Sequence, residues 1–180
     1  DGAKLDFYAY YPYSRDAIDP EAIAMGVKPD QRTVGGRNGS DWMVATNTIG
    51  VNEGEVELLF RHVMAAVEVE IRGGDVIMPN EKLEVQMTEV CLTNSHHLGT
   101  GMFVAENGTG TIDMWRLENA TDMDSFTYRA LLPAQTLGKG IPVFRCLQDG
   151  KIYIYRGEEI ILERGNRTRF VFTLKSGSEL

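Results

Sequence analysis

The side chains of this chain that could do chemistry are few: three histidines, two cysteines, and a run of tyrosines upstream of a tryptophan. His96 and His97 are adjacent. Neighbouring residues on a strand point to opposite faces. Metal-ligand pairs come instead at i,i+2 on a strand or i,i+4 on a helix, with a carboxylate or cysteine close by. The pair therefore does not read as a metal site, and no metal or cofactor is expected. His62 shares the parity of Val56, Leu58 and Phe60. That parity predicts an inward, neutral imidazole hydrogen-bonded to backbone. Cys91 and Cys146 lack metal-ligand spacing. Both sit in apolar runs and read as buried thiols, with a single disulfide as the other reading.

Tyr8, Tyr10, Tyr11 and Trp42 could form a platform on which sugar rings stack; the plainer reading is half-buried tyrosines with hydrogen-bonded hydroxyls. Asp41 is the only acid beside such a stacking residue. There is no Gly-x-Ser-x-Gly elbow and no Ser–His–Asp order to single out, so no enzymatic activity is expected. Gly35 to Gly39 is a flexible loop and not a phosphate loop, because no Lys-Ser/Thr pair follows it. Asn-x-Ser/Thr sequons at Asn38, Asn107, Asn119 and Asn166 read mainly as turn chemistry. The net charge of −8 argues against nucleic acid and anionic membrane surfaces. No stretch approaches the roughly 20 apolar residues of a membrane helix. The chain starts at Asp1 without an initiator Met or signal peptide, which reads as a processed product or a piece of a longer chain.

The elements that must position these residues are strands. Glu55 to Gly74 organises the chain. Val56, Leu58, Phe60 and His62 share one parity, with Glu57 and Arg61 opposite. Farther on, Val67, Val69 and Ile71 form the apolar set, with Glu68, Glu70 and Arg72 on a wet face. The apolar parity flips between the two halves. A slip of one residue would turn an apolar set to solvent, so a bulge or break is predicted within His62–Ala66. A chain can change sheets at such a point.

Strands are predicted at Leu5–Tyr11, Asp41–Ala45, Leu83–Leu92, Met102–Ala105, Thr111–Trp115 and Phe126–Leu132. Asp19–Ala24 reads as the start of a short helix, with Asp at the cap and Pro next. Thr46–Gly54, Asn94–Gly101 and Glu118–Asp124 read as loops, Gly73–Asp75 as a turn and Asn107–Gly110 as a hairpin turn. In the last third, Ile141–Leu147 and Lys151–Tyr155 flank Asp149-Gly150, a strong hairpin signal. Ile160–Leu162 and Phe170–Leu174 flank Gly165-Asn166, and Phe170, Phe172 and Leu174 share one face. Short strands with frequent turns predict an all-β antiparallel sandwich.

The order of these motifs resembles the fimbrillin-like (Mfa-like) proteins of Bacteroidales. The matching segments are Leu5–Tyr13, Asp41–Ala45, Leu59–His62 with Ala65–Val67, Leu131–Gln135, and Gly165–Leu174. The resemblance implies a two-domain, transthyretin-like (Greek-key) β-sandwich, exported as a lipoprotein and displayed at the cell surface or outer membrane. It implies a stalk, anchor or tip subunit of a pilus whose partners are other subunits, joined through edge strands. Host or bacterial surface glycans or proteins are further partners in view. Phe170, Phe172 and Leu174 are then the candidate assembly strand. The family's front portion has no counterpart here, so residues 1–54 are taken as the tail of one domain and 55–180 as the second. The alternative is a surface carbohydrate-binding module using Tyr8, Tyr10, Tyr11 or Trp42.

Overall fold

The computed structural model describes residues 4–51, 54–74, 79–106, 108–118, 125–175 and 180. Asp75, Asn107 and residues 119–124, where a turn, a hairpin turn and a loop were expected, lie outside the described residues.

Strand β1 (Leu5–Tyr11) is the expected aromatic strand, and it stops before Pro12. Asp19 does not open a helix. Its carboxylate accepts from the Glu21 amide at 2.9 Å and its carbonyl from the Ala22 amide at 3.1 Å, closing one turn. The chain then extends as β2 (Ile23–Gly26), because Ile23 and Met25 are buried while Ala24 is exposed. Helix formation comes later, in the segment expected to be a flexible loop. Helix α1 (Val34–Asn38) is capped by Thr33, whose Oγ1 accepts from the Gly36 amide at 3.0 Å. Gly36 is required there, since a Cβ would collide with the Asp30 carbonyl.

β3 (Met43–Val51) runs through most of the segment expected to be a loop and pairs with both β1 and β4 (Arg61–His62). The break in the central stretch is real. β4 lies in the β1-β3-β4 sheet, whereas β5 (Ala65–Arg72) starts three residues later in another sheet. The first half of the stretch is not a core strand. Residues 55–60 are irregular, Phe60 is 41% exposed, and His62 is exposed. With only two residues paired in β4, no apolar sheet face is available to cover Phe60.

β6 (Glu84–Val90) leads to β7 (Thr93–His96), a strand where a loop was expected, and β8 (Phe103–Ala105) pairs with it. β9 (Gly110–Asp113) does not return on β8 as a hairpin; it joins β6 in a different sheet. β10 (Trp115–Arg116) follows, and β11 (Ser125–Leu132) pairs along the whole of β5. β12 (Gln135–Leu137) precedes β13 (Pro142–Gln148), which turns through Asp149-Gly150 into β14 (Lys151–Arg156). The turn residues have φ of 50° and 77°, as a primed two-residue hairpin turn requires. β15 (Ile160–Leu162) pairs with β12, and β16 (Arg167–Thr173) runs parallel to β5. The two strands that flank Gly165-Asn166 therefore do not pair with each other; β15 pairs with β12 and β16 with β5.

The result is an all-β sandwich. A sheet of order β10-β11-β5-β16 faces one of order β14-β13-β6-β9. Val67, Val69 and Ile71 meet Val85, Met87, Phe144 and Cys146 in one buried core. Phe144 spans the gap, its ring 4.9 Å from Phe170 and 5.5 Å from Phe172. Ile23, Met25, Val27 and Trp42 belong to the same core, so β2 and the segment after it pack on the sandwich. Gln31 ties this segment down: its amide donates to the Leu131 carbonyl at 2.7 Å and accepts from the Leu131 amide at 2.8 Å.

Candidate functional site

The Gly165-Asn166 turn sets the start of β16. Gly165 has a φ of +67° and its amide donates to the Met64 carbonyl; the Asn166 carbonyl accepts from Ala66. These bonds align β16 beside β5. Phe172 and Leu174 are buried in the core and Phe170 is half-buried against Phe144. Val171, on the opposite face, is 46% exposed. The outer edge of β16 pairs with no strand among the described residues. Such an edge presents unpaired amides and carbonyls that can template another strand.

The tyrosine set does not form one platform. Tyr8 and Tyr11 are partly exposed but on opposite parities of β1. Tyr10 packs on Trp42, with centroids 6.3 Å apart, and its hydroxyl donates to the Ser14 carbonyl. Trp42 is 5% exposed, and its indole N–H donates to the Gly26 carbonyl at 2.9 Å. Its ring offers no free face to a sugar.

His62 corrects the inward expectation: it is exposed, and Nδ1 lies 2.7 Å from Asp41. His96 and His97 point apart, as strand alternation requires. His97 Nδ1 accepts from the Gly99 and Thr100 amides, while His96 is 2% exposed and stacks on Phe103 at 4.1 Å. Among the described residues, no group of three or more His, Cys, Asp or Glu converges to hold a metal ion. Both cysteines are free; Cys146 is buried, its thiol pushed up to about 12 by desolvation, and Cys91 is only half-buried.

Burial, the largest cause, lowers the His96 pKa below its ordinary 6.5. The unfolded chain then binds a proton that the fold rejects, so stability rises with pH through this window. Stability is expected to fall as pH drops from about 6.5 toward the lowered value. His96→Leu should flatten that slope in melting temperatures taken between pH 7 and 5. An unchanged slope would remove His96 from the acid response.

A feature missed in the sequence lies on the outer face of the β10-β11-β5-β16 sheet. Trp115, Arg129, Glu68 and Arg169 stand in one cross-strand row. Glu68 and Glu70, expected on a wet face, are 7% and 6% exposed because arginines cover them. Arg129 and Arg167 pair with Glu68; Arg72 and Arg169 pair with Glu70. Hydrogen bonding from Arg72, then from Arg169, holds the Glu70 carboxyl below its ordinary range. Beside this row lies an open groove of about 450 Å³ between α1, β4, β10, β11 and the start of β16. Trp115 stands in it with the Arg37 and Arg129 guanidiniums 5.8 and 5.9 Å from its ring centre. The available signal was the period-two spacing of Glu68 with Glu70 and of Arg167 with Arg169, which place opposite charges on neighbouring strands.

A family model described as fimbrillin-like matches residues 1–180. Solved structures share the fold. A candidate cell adhesion protein from Bacteroides ovatus is 19% identical with a TM-score of 0.75; the match covers 99% of this chain and 65% of that one. A second, from Bacteroides uniformis, is 16% identical with a TM-score of 0.66, covering 97% of this chain and 69% of that one. A third, from Bacteroides thetaiotaomicron, is 13% identical with a TM-score of 0.57, covering 94% and 65%. The chain thus spans about two thirds of their length, and at these identities the likeness shows the fold alone. No curated protein matches the chain.

Proposed function

The chain belongs to the fimbrillin-like family, and from that premise we propose that it is a structural and adhesive subunit of a cell-surface pilus, without enzymatic activity. It is exported, carried as a lipoprotein, and joined to neighbouring subunits by β-strand addition. The family match across all 180 residues carries this reading. The free edge of β16 supports the mode of assembly. A neighbour's strand laid along Arg167–Thr173 would satisfy its main-chain groups, and the alternation of Phe170, Phe172 and Leu174 would fix its register. Among the described residues no helix is long and apolar enough to cross a membrane.

The test is incorporation into sheared surface filaments, combined with a cysteine at the edge. In a Cys91→Ser background, Val171→Cys labelled with a maleimide-benzophenone should give photo-crosslinked subunits in filaments. Absence of the chain from filaments would overturn the pilus role; incorporation without crosslinks at Val171 would overturn this edge as the joint.

The division at residue 54 belongs to the same proposal: residues 1–54 close one β-domain and 55–180 form the next. The shared core modifies its consequence. Proteolysis in the irregular, exposed segment 55–60 should nick the chain. The two pieces should nonetheless co-elute in native size-exclusion chromatography and part only in denaturant. Ile23, Met25 and Trp42 hold them together, and Gln31 adds two hydrogen bonds to Leu131. A 55–180 piece eluting alone would mean that residues 23–42 contribute little to that core.

A further inference from the structure

We propose that the groove around Trp115 binds an acidic saccharide, a sugar ring bearing a carboxylate. The inference takes the adhesive half of the proposed function as its setting and names the ligand class for it.

Charge in the groove favours an anion. The chain carries a net −8, yet Arg37, Arg129 and Arg167 all line one groove. Glu68 lies beneath and is committed to Arg129, while Asp41 is committed to His62. Arg167 touches Glu68 only at 3.5 Å and its side chain is 63% exposed. Arg37 spends one Nη1 donor on the Arg32 carbonyl. Both therefore keep guanidinium N–H groups for an incoming anion. A guanidinium matches a carboxylate in a two-pronged geometry.

The neutral lining favours a sugar over a bare anion. The Asn38 side chain makes no hydrogen bond among the described residues, and Asn166 spends only its Nδ2, on Glu163 at 2.7 Å. His62 keeps Nε2 free opposite Asp41. These groups supply the mixture of donors and acceptors that ring hydroxyls need. A bare anion would use the arginines and leave them idle. Trp115 gives the groove a rigid aromatic wall, fixed by its neighbouring guanidiniums.

The groove also has the size for a saccharide. A volume near 450 Å³ falls within the roughly 300–1,000 Å³ of small-molecule sites. The groove is open, so it suits one or two sugar units of a chain that continues into solvent. A long polyanion such as a nucleic acid would instead meet the acidic remainder of the surface.

The experiment is titration calorimetry on the isolated chain, so its outcome is independent of filament incorporation. The probes are a galacturonate disaccharide, the neutral galactose disaccharide, and inorganic phosphate. The acidic disaccharide should bind saturably and at least tenfold more tightly than either other probe. Arg167→Gln and Arg37→Gln should each weaken it about tenfold, whereas Arg15→Gln, on the exposed surface away from the groove, should not. Thermal unfolding of each variant verifies its fold, and Arg37→Gln leaves the Glu68 pairing intact. Equal binding of the neutral sugar, phosphate binding as tight as the uronate, no saturable binding in the millimolar range, or indifference to both arginine substitutions would each overturn the proposal.

Discussion

Phe144→Ala is expected to lower the free energy of unfolding by about 3–5 kcal/mol, the usual cost of emptying a large aromatic site. Phe144 is 0% exposed, and its ring lies against those of Tyr155, Phe170 and Phe172. Tyr155 and β13 belong to one sheet and the two phenylalanines of β16 to the other. Removing the ring therefore opens a void between layers that neither backbone can easily close. Phe60→Ala, by contrast, should cost less than about 1 kcal/mol, since the side chain is partly exposed and off the sheets. Urea unfolding of both variants measures the difference. Comparable losses would mean that Phe60 is buried and that the irregular segment 55–60 packs on the core.

The second large effect concerns the ionic row. Arg129→Met should destabilise by about 2–3 kcal/mol, because Glu68 is left buried with a weaker partner. The loss falls below the ~3–5 kcal/mol of a fully buried pair because Arg129 is 32% exposed and Arg167 stays at 3.5 Å. Adding Glu68→Met should restore most of that loss, since an apolar pair needs no counter-charge. A double-mutant cycle reads this directly. If the double variant is less stable than Arg129→Met alone, the carboxylate has a favourable role beyond its pairing. Glu70 predicts the acid side of the same face. Its folded pKa is depressed, so its contribution is present above the ordinary 4.5 and is lost as pH falls through the lowered value.

Local pattern revealed the strands better than their partners. The alternation of Val67, Val69 and Ile71, the aromatic β1 and the Asp149-Gly150 turn are set by side-chain parity and backbone φ, and both are legible in sequence. The break between β4 and β5 was expected from an apparent parity flip, although residues 55–60 form no strand. The parallel seat of β16 on β5 was not, because nothing local distinguishes it from a hairpin strand returning on β15. Phe60 misled because alternation predicts a face but not whether a second layer exists to cover it. The short helix was hidden by its glycines, which normally disfavour helix. Here Gly36 is kept because of a close backbone approach and Thr33 supplies the cap. Trp42 was legible as aromatic but not as buried, since its anchor, the Gly26 carbonyl, lies on a different strand. The arginine groove escaped because its members are scattered from Arg37 to Arg167 and meet only after the sheet order is known.

The seat of β16 also governs when the fold can close. Val67, near the centre of the molecule, pairs with Thr168, near the far end of the sequence. As a chain emerges N-terminus first, from a ribosome or through a membrane pore, β5 and β11 can pair while the other flank of β5 stays open. Phe170 and Phe172 arrive last, and only then can Phe144 be enclosed. Such long-range closure places folding in the slow, millisecond-to-second regime of β-proteins. Until the last strand docks, one flank of β5 keeps its main-chain groups unpaired, and the arrival of Arg167–Thr173 is what closes the sheet.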